Sequence, residues 1–302
     1  MNKIRRTGQR LAAAAVTIAA CTLGGIPHAT ADSAVQPDPS GSLLYSRLVK
    51  NDDGSLKTNG KGGYFVSAPY TGNEVTRKVG RLTTGGLCTA TVLDSPSGAL
   101  AITARHCIDN DAALIAAGRA TFTPAWHDGQ RPYGDWVVDR AFTSEIPVDG
   151  SVPDVAVLAI RPAEGNRVVS AATGGGLKVH PALSSSQSVQ STLLGYPGPA
   201  PYNAVLMSAC VGDYTYFPGR GRAAVHRVTD QSECHVGGGS SGGPYVTGTA
   251  AGPQIITVLN SDGGSAIAGV APALVTEADN WVFAQYPGLP RGGGLPSTGS
   301  GS

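Results

Sequence analysis

Gly239-Ser240-Ser241-Gly242-Gly243-Pro244 places Ser241 between glycines that leave its hydroxyl accessible. A serine hydroxyl is a poor nucleophile at its free pKa, so it needs a base within hydrogen-bond reach and backbone N–H groups aimed at the developing oxyanion. Those donors require a tight backbone, and glycine reaches the necessary dihedrals at little steric cost. A flexible surface loop is the competing reading, because the chain holds 42 glycines in 302 residues. Residues elsewhere in the chain have to decide between the two.

The amino terminus sets the compartment. Lys3, Arg5, Arg6 and Arg10 precede an apolar run over 11–20, and small residues follow up to Ala29-Thr30-Ala31. Charge, a short apolar core and an Ala-x-Ala site in that order predict a secretory signal over 1–31. Ile18-Ala19-Ala20-Cys21 offers a second reading as a lipobox, with Cys21 acylated after cleavage. Export without Cys21 leaves Cys88, Cys107, Cys210 and Cys234. An even count in an oxidising compartment predicts two disulfides, for which sequence alone allows three connectivities. No two of these cysteines have the short spacing of a zinc site, so no metal and no cofactor are expected. With 14% charged residues and a formal net charge of +1, nothing favours a nucleic acid or an anionic membrane surface as partner. A soluble monomer is expected.

Between the signal and the first apolar runs, residues 32–70 are polar and rich in turn formers, which predicts an arm or a propeptide rather than core. Short apolar runs broken by Gly, Pro, Ser and Asp then begin at Val79. Residues 87–93 and 100–104 are two of them, joined by Asp94-Ser95-Pro96-Ser97-Gly98-Ala99 as a hairpin turn. Further strands are expected at 136–138, 155–160, 191–194, 204–207, 223–228 and 254–259. Regular short strands with turns between them predict an all-β sandwich or barrel. A single helix is expected over 271–285, capped near Thr276-Glu277-Ala278-Asp279 and burying Val275, Trp281 and Val282. The Gly, Pro and Ser of 287–302 predict a disordered tail.

The base must come from the six histidines. His28 leaves with the signal, and His127, His180, His226 and His235 read as ordinary loop or surface residues. His106 ends an apolar strand and precedes Cys107, so a disulfide there would fix the backbone that carries the imidazole. Cys88, on the preceding strand, is the natural partner across the hairpin. A buried histidine hydrogen-bonded at a strand end is the alternative. Asp154 stands directly before the apolar run 155–160, where a partly buried carboxylate calls for a partner. A solvated turn aspartate after Pro153 is its alternative. Chain order then discriminates between folds, since the same triad runs in different orders on unrelated scaffolds. No histidine follows Ser241, which excludes the α/β-hydrolase order for this serine. The order His106, Asp154, Ser241 fits a double β-barrel.

Thr103-Ala104-Arg105-His106-Cys107, Asp154-Val155-Ala156-Val157-Leu158 and Gly239-Ser240-Ser241-Gly242-Gly243-Pro244 resemble the three signature blocks of trypsin-like (chymotrypsin-fold) serine peptidases, most of all secreted bacterial members. The likeness covers roughly 79–286, within an expected peptidase domain at 71–286. It implies an all-β fold of two antiparallel six-stranded β-barrels with a C-terminal helix, His106 and Asp154 in the first barrel and Ser241 in the second. It implies Ser241 as nucleophile, His106 as base, Asp154 as its orienting acid, and the N–H groups of Gly239 and Ser241 as the oxyanion hole. A polypeptide is then the substrate, and activity falls as His106 protonates, near the unperturbed value of about 6.5.

Two departures qualify that likeness. Activation-controlled relatives carry an aspartate before the serine, where this chain has Ser240. Relatives specific for Lys or Arg carry an aspartate six positions before the serine, where this chain has His235. The pocket wall expected from the family is His235, Asn260, Ser261 and Asp262, with a Cys210–Cys234 bridge stapling nearby loops. The other function classes consistent with these residues are an inactive binding module on the same fold and an esterase. Leu295-Pro296-Ser297-Thr298-Gly299 matches a sortase signal and adds wall anchoring as a third localisation beside secretion and a lipoprotein.

Overall fold

A computed structural model describes residues 42–60, 62–148, 150–184, 187–216, 237–260, 263–265 and 267–291. The expectations for the signal, Cys21, the strand at 223–228, His226, His235, Cys234, Ser261, Asp262 and residues 292–302 lie outside them.

Six strands close into a barrel: β2 (Val79–Thr83), β3 (Leu87–Val92), β4 (Leu100–Thr103), β5 (Thr121–Pro124), β6 (Trp136–Thr143) and β7 (Ala156–Ile160), in the order β2-β3-β4-β7-β6-β5. The expected turn at 94–99 joins β3 to β4 and is closed by Gly98 N donating to Ser95 O at 3.0 Å. All four residues of β4 and all five of β7 are buried. Strands covered on both faces read as continuous apolar runs rather than alternation, which is why 100–104 and 155–160 stand out in the sequence. One face fills the barrel with Leu82, Val92, Phe122, Trp136, Leu158 and Ile160. The other joins a second cluster in which Leu100, Ile102 and Val157 meet Leu194, Val246 and Val258 from the other lobe.

That lobe is a six-stranded sheet ordered β1-β10-β9-β11-β12-β8. Its strands are β1 (Tyr64–Phe65), β8 (Lys178–Val179), β9 (Ser188–Gly195), β10 (Ser208–Thr215), β11 (Pro244–Thr249) and β12 (Gly252–Val258). The chymotrypsin-like class holds, with two particulars. Among the described residues no pairing closes this sheet into a barrel, and β8 runs parallel to β12. The expected strand at 204–207 is instead a turn leading into β10, because Asn203 and Ala204 have φ of 52° and 55°, which extended backbone does not allow.

Where one helix is expected, the described residues form three: two of a single turn each, α1 (Ala112–Ala116) and α2 (Val169–Thr173), and α3 (Ala271–Gln285), which matches its expected span but starts without the expected cap. Thr276 lies inside it, its hydroxyl donating to Pro272 O at 2.9 Å. Asp279 is buried and accepts from Ser97 N at 3.1 Å, tying the helix to the β3–β4 turn. Val282 is fully buried, and Val275 and Trp281 pack against the shared core.

The described part of the polar amino-terminal segment behaves as core. Leu44, Leu48, Tyr64, Val66 and Tyr70 belong to the shared cluster. β1 pairs antiparallel with β10, Met207 N donates to the Tyr70 hydroxyl at 2.8 Å, and Arg47 Nη2 donates to Ser67 O and Pro69 O at 2.8 and 2.9 Å. Each large apolar side chain buried contributes about 1.5–3 kcal/mol, so together they are comparable with the ~5–15 kcal/mol stability of a typical domain. A chain beginning at Thr71 is therefore expected to lose its cooperative thermal transition. A sharp melt near that of the longer chain would contradict this.

Candidate active site

The barrel register brings His106 to Asp154. In the β4–β7 pair Thr103 faces Ala156, so the chain leaving β4 and the chain entering β7 run side by side beyond the ladder. His106 lies in a single turn at Arg105–Cys107. Asp154 grips it twice, Oδ1 accepting from His106 N at 2.9 Å and Oδ2 lying 2.7 Å from Nδ1. Arg105 braces the turn by pairing with Asp109 at 3.1 Å and with Glu145 at 2.6 Å, the latter from the loop that leads to Asp154. The Cys88–Cys107 disulfide fixes the other side of the turn, as expected, and places Cys107 Sγ 3.9 Å from His106 Nε2. These two sulfurs and the imidazole cluster like metal ligands, but each sulfur is already bonded to the other.

Electrostatics follow from this packing. The hydrogen bond that His106 donates to Asp154 raises the histidine pKa above the ordinary 6.5, outweighing burial, which lowers it. The unperturbed histidine expected from sequence is thus corrected upward. Burial pushes the Asp154 carboxyl up, but the bonds from the His106 ring and main chain hold it below the ordinary 3.8. Behind the carboxylate, Asp154 N donates to Ser265 Oγ at 3.0 Å, and Asn260 Nδ2 donates to the same oxygen at 3.0 Å. Asn260, expected in a pocket wall, therefore supports the segment carrying Asp154. Ser265 carries no signal of this role in the sequence.

The loop 239–243 is pressed against β3 and β4. A Cβ on Gly242, whose φ is +79°, would lie 2.0 Å from Thr103 Oγ1 and 2.4 Å from Thr89 O. A Cβ on Gly243 would lie 2.0 Å from Leu194 O. These contacts set the loop beside Ala104, two residues before His106. Ser240 is fully buried against Gly195, a setting that suits a small hydroxyl better than an aspartate. Ser241 is partly exposed. Among the described residues no hydrogen bond joins Ser241 to His106; such bonds are often long until a substrate is bound.

Three N–H groups of the loop are bonded within the protein. The N–H groups of Ser240, Gly242 and Gly243 donate to Gly237 O, Leu259 O and Ser240 O at 3.3, 2.8 and 2.8 Å. Among the described residues those of Gly239 and Ser241 have no acceptor. In a planar trans peptide the N–H points opposite to the C=O of the same unit. Gly238 O is held by Gly198 N at 2.7 Å and Ser240 O by Gly243 N at 2.8 Å, which turns the Gly239 and Ser241 N–H groups away from those contacts. Beside Ser265 opens a cavity of about 180 Å³ lined mainly by apolar residues, among them Val148, Leu183, Tyr214, Ile256 and Ile267. Cys210 is disulfide-bonded, with its partner outside the described residues.

No family model and no curated protein sequence matches the chain. Among solved structures, a Glu endopeptidase in complex with MPD is similar over 76% of this chain and 99% of its own, at 18% identity and a TM-score of 0.50. The thermostable serine protease AL20 from an extremophilic microorganism gives 21% identity, coverage of 63% and 89%, and a TM-score of 0.47. The protease Anisep from Arthrobacter nicotinovorans gives 19%, coverage of 64% and 89%, and 0.43. At such identity the likeness to the Glu endopeptidase shows a shared chymotrypsin-like fold.

Replacing Gly242 by Ala puts a methyl into the Thr103–Thr89 contact at a left-handed φ. It is expected to destabilise the protein by well over ~1 kcal/mol, read as a lowered denaturation midpoint. An unchanged midpoint would mean that the loop does not sit so close to β3.

Proposed function

We propose that the protein is a secreted serine endopeptidase in which Ser241 attacks the scissile carbonyl, His106 takes its proton, and Asp154 holds and stabilises the imidazolium. The N–H groups of Gly239 and Ser241 stabilise the oxyanion, His106 then protonates the leaving amine, and water hydrolyses the acyl-enzyme. The observation that carries this reading is that the N–H groups of Gly239 and Ser241 have no acceptor among the described residues, in a loop packed beside the strand end that bears the bonded His106–Asp154 pair. Residues 1–31 are read as the export signal, and the Cys88–Cys107 disulfide agrees with an oxidising destination. No helix among the described residues is long and apolar enough to cross a membrane.

A binding module that does not turn over is the second reading, favoured by the missing hydrogen bond between His106 and Ser241. An organophosphonate separates the two. A covalent adduct on Ser241 of the folded protein, absent in Ser241→Ala, is expected for the peptidase. No adduct at any pH would leave the binding module. Esterase activity shares the adduct, and a peptide library cleaved by wild type but not by Ser241→Ala selects endopeptidase.

Because His106 accepts a proton only when neutral, and Asp154 raises its pKa, activity is expected to rise with pH through a point above 6.5. Asp154→Asn removes the carboxylate that raises it, so the limb should move to lower pH, with kcat reduced by up to about 10⁴-fold. A kcat/KM profile whose limb stays in place in the variant would separate Asp154 from the imidazole.

A further inference from the structure

We infer that Thr89 is a positioning residue for the oxyanion loop, an inference that rests on the peptidase reading. Thr89 is fully buried in β3 and all of its polar atoms are committed. Its hydroxyl donates to Gly239 O at 2.9 Å and accepts from Tyr196 N, just past β9, at 3.0 Å. Its own N–H donates to Ser241 O at 2.8 Å, and its carbonyl accepts from Thr103 Oγ1 at 2.8 Å. One residue, through its hydroxyl and its N–H, thus joins the first barrel, the second sheet and the loop.

The contacts alternate along the loop. The carbonyls of Gly238 and Ser240 are held by Gly198 N and Gly243 N, within the second lobe, while those of Gly239 and Ser241 are held by Thr89 from the first barrel. The peptide unit carrying the Ser241 N–H therefore lies between two units fixed by Thr89, and the unit carrying the Gly239 N–H adjoins one of them, neither N–H having an acceptor among the described residues. Gly239 has φ of +99° and no Cβ, so nothing in its own covalent structure prevents the neighbouring peptide from rotating. The Thr89 hydroxyl supplies that restraint. A donor fixed in advance stabilises developing charge without the cost of reorganising at the moment of reaction. Thr89 touches no reacting atom and acts through Gly239 and Ser241.

The test compares Thr89→Val, which keeps the shape and removes the hydroxyl, with Thr89→Ser, which restores it. Losing one oxyanion donor outright costs about 10²–10³ in kcat, so loosening both is expected to lower kcat in Thr89→Val by about 10–100-fold with KM nearly unchanged. Affinity for a peptide boronate, which forms the tetrahedral anion on Ser241, should fall by a similar factor. Affinity for a non-covalent product peptide and the pH limb of His106 should not move, and Thr89→Ser should recover most of the loss. Wild-type kcat and boronate affinity in a folded Thr89→Val would overturn the inference. If that variant does not fold, Thr89→Cys, similar in size with a weaker donor, takes its place, and wild-type kcat in it has the same consequence. Amide hydrogen exchange over 237–243 is read alongside. Faster exchange in the variant, with no hydrolysis by wild type, supports the role of Thr89 and counts against the peptidase reading. Unchanged exchange overturns the role of Thr89.

Discussion

Four consecutive carbonyls, those of residues 238–241, are gripped in turn by Gly198 N, Thr89 Oγ1, Gly243 N and Thr89 N. The rest of the site depends on that constraint. Among the described residues it leaves the Gly239 and Ser241 N–H groups without an acceptor, and it requires a backbone approach that only glycine permits at 242 and 243. Because two of the grips come from β3, the loop belongs structurally to both lobes. The shared apolar core beneath, with Ile102 and Val157 against Leu194 and Val258, keeps the two lobes in the relation those bonds need.

His106 and Asp154 depend on a different kind of order. Their meeting follows from the antiparallel register of β4 and β7, and a shift by one residue would turn the side chains of the shifted strand to the opposite face and displace the segment that follows or precedes it. The disulfide at Cys107 and the ion pairs of Arg105 hold the turn that displays the imidazole. Ser265 and Asn260 hold the segment that displays the carboxylate. The two catalytic candidates thus have separate supports, one a buried disulfide with ion pairs and the other a buried hydroxyl.

Several features were legible from the residues because local chemistry produces them. Buried strands appear as the apolar runs 100–104 and 155–160, the β3–β4 turn as Ser, Pro and Gly, and α3 as a helix of the expected span. Others were not. The apolar residues of segment 42–70 are scattered among turn formers and charges, yet Leu44, Leu48, Tyr64, Val66 and Tyr70 find places in a core already formed by distant strands. Nothing local distinguishes such residues from an arm. Asp279 looked like part of a helix cap, but its partner, Ser97, lies far away in sequence and gives no nearby signal.

By itself the sequence determined the strand content, the glycine-rich loop around Ser241, and the order His106, Asp154, Ser241 that limits the choice of fold. These are matters of composition, periodicity and chain order, which are properties of neighbouring residues. The tertiary structure alone decided that Thr89 and Ser265 stand behind the site, that Asn260 leans toward the Asp154 segment, and that the amino-terminal segment completes the second sheet. Those roles arise from hydrogen bonds between residues remote in the chain, and a hydroxyl or an amide carries no mark of its partner until the strands are paired.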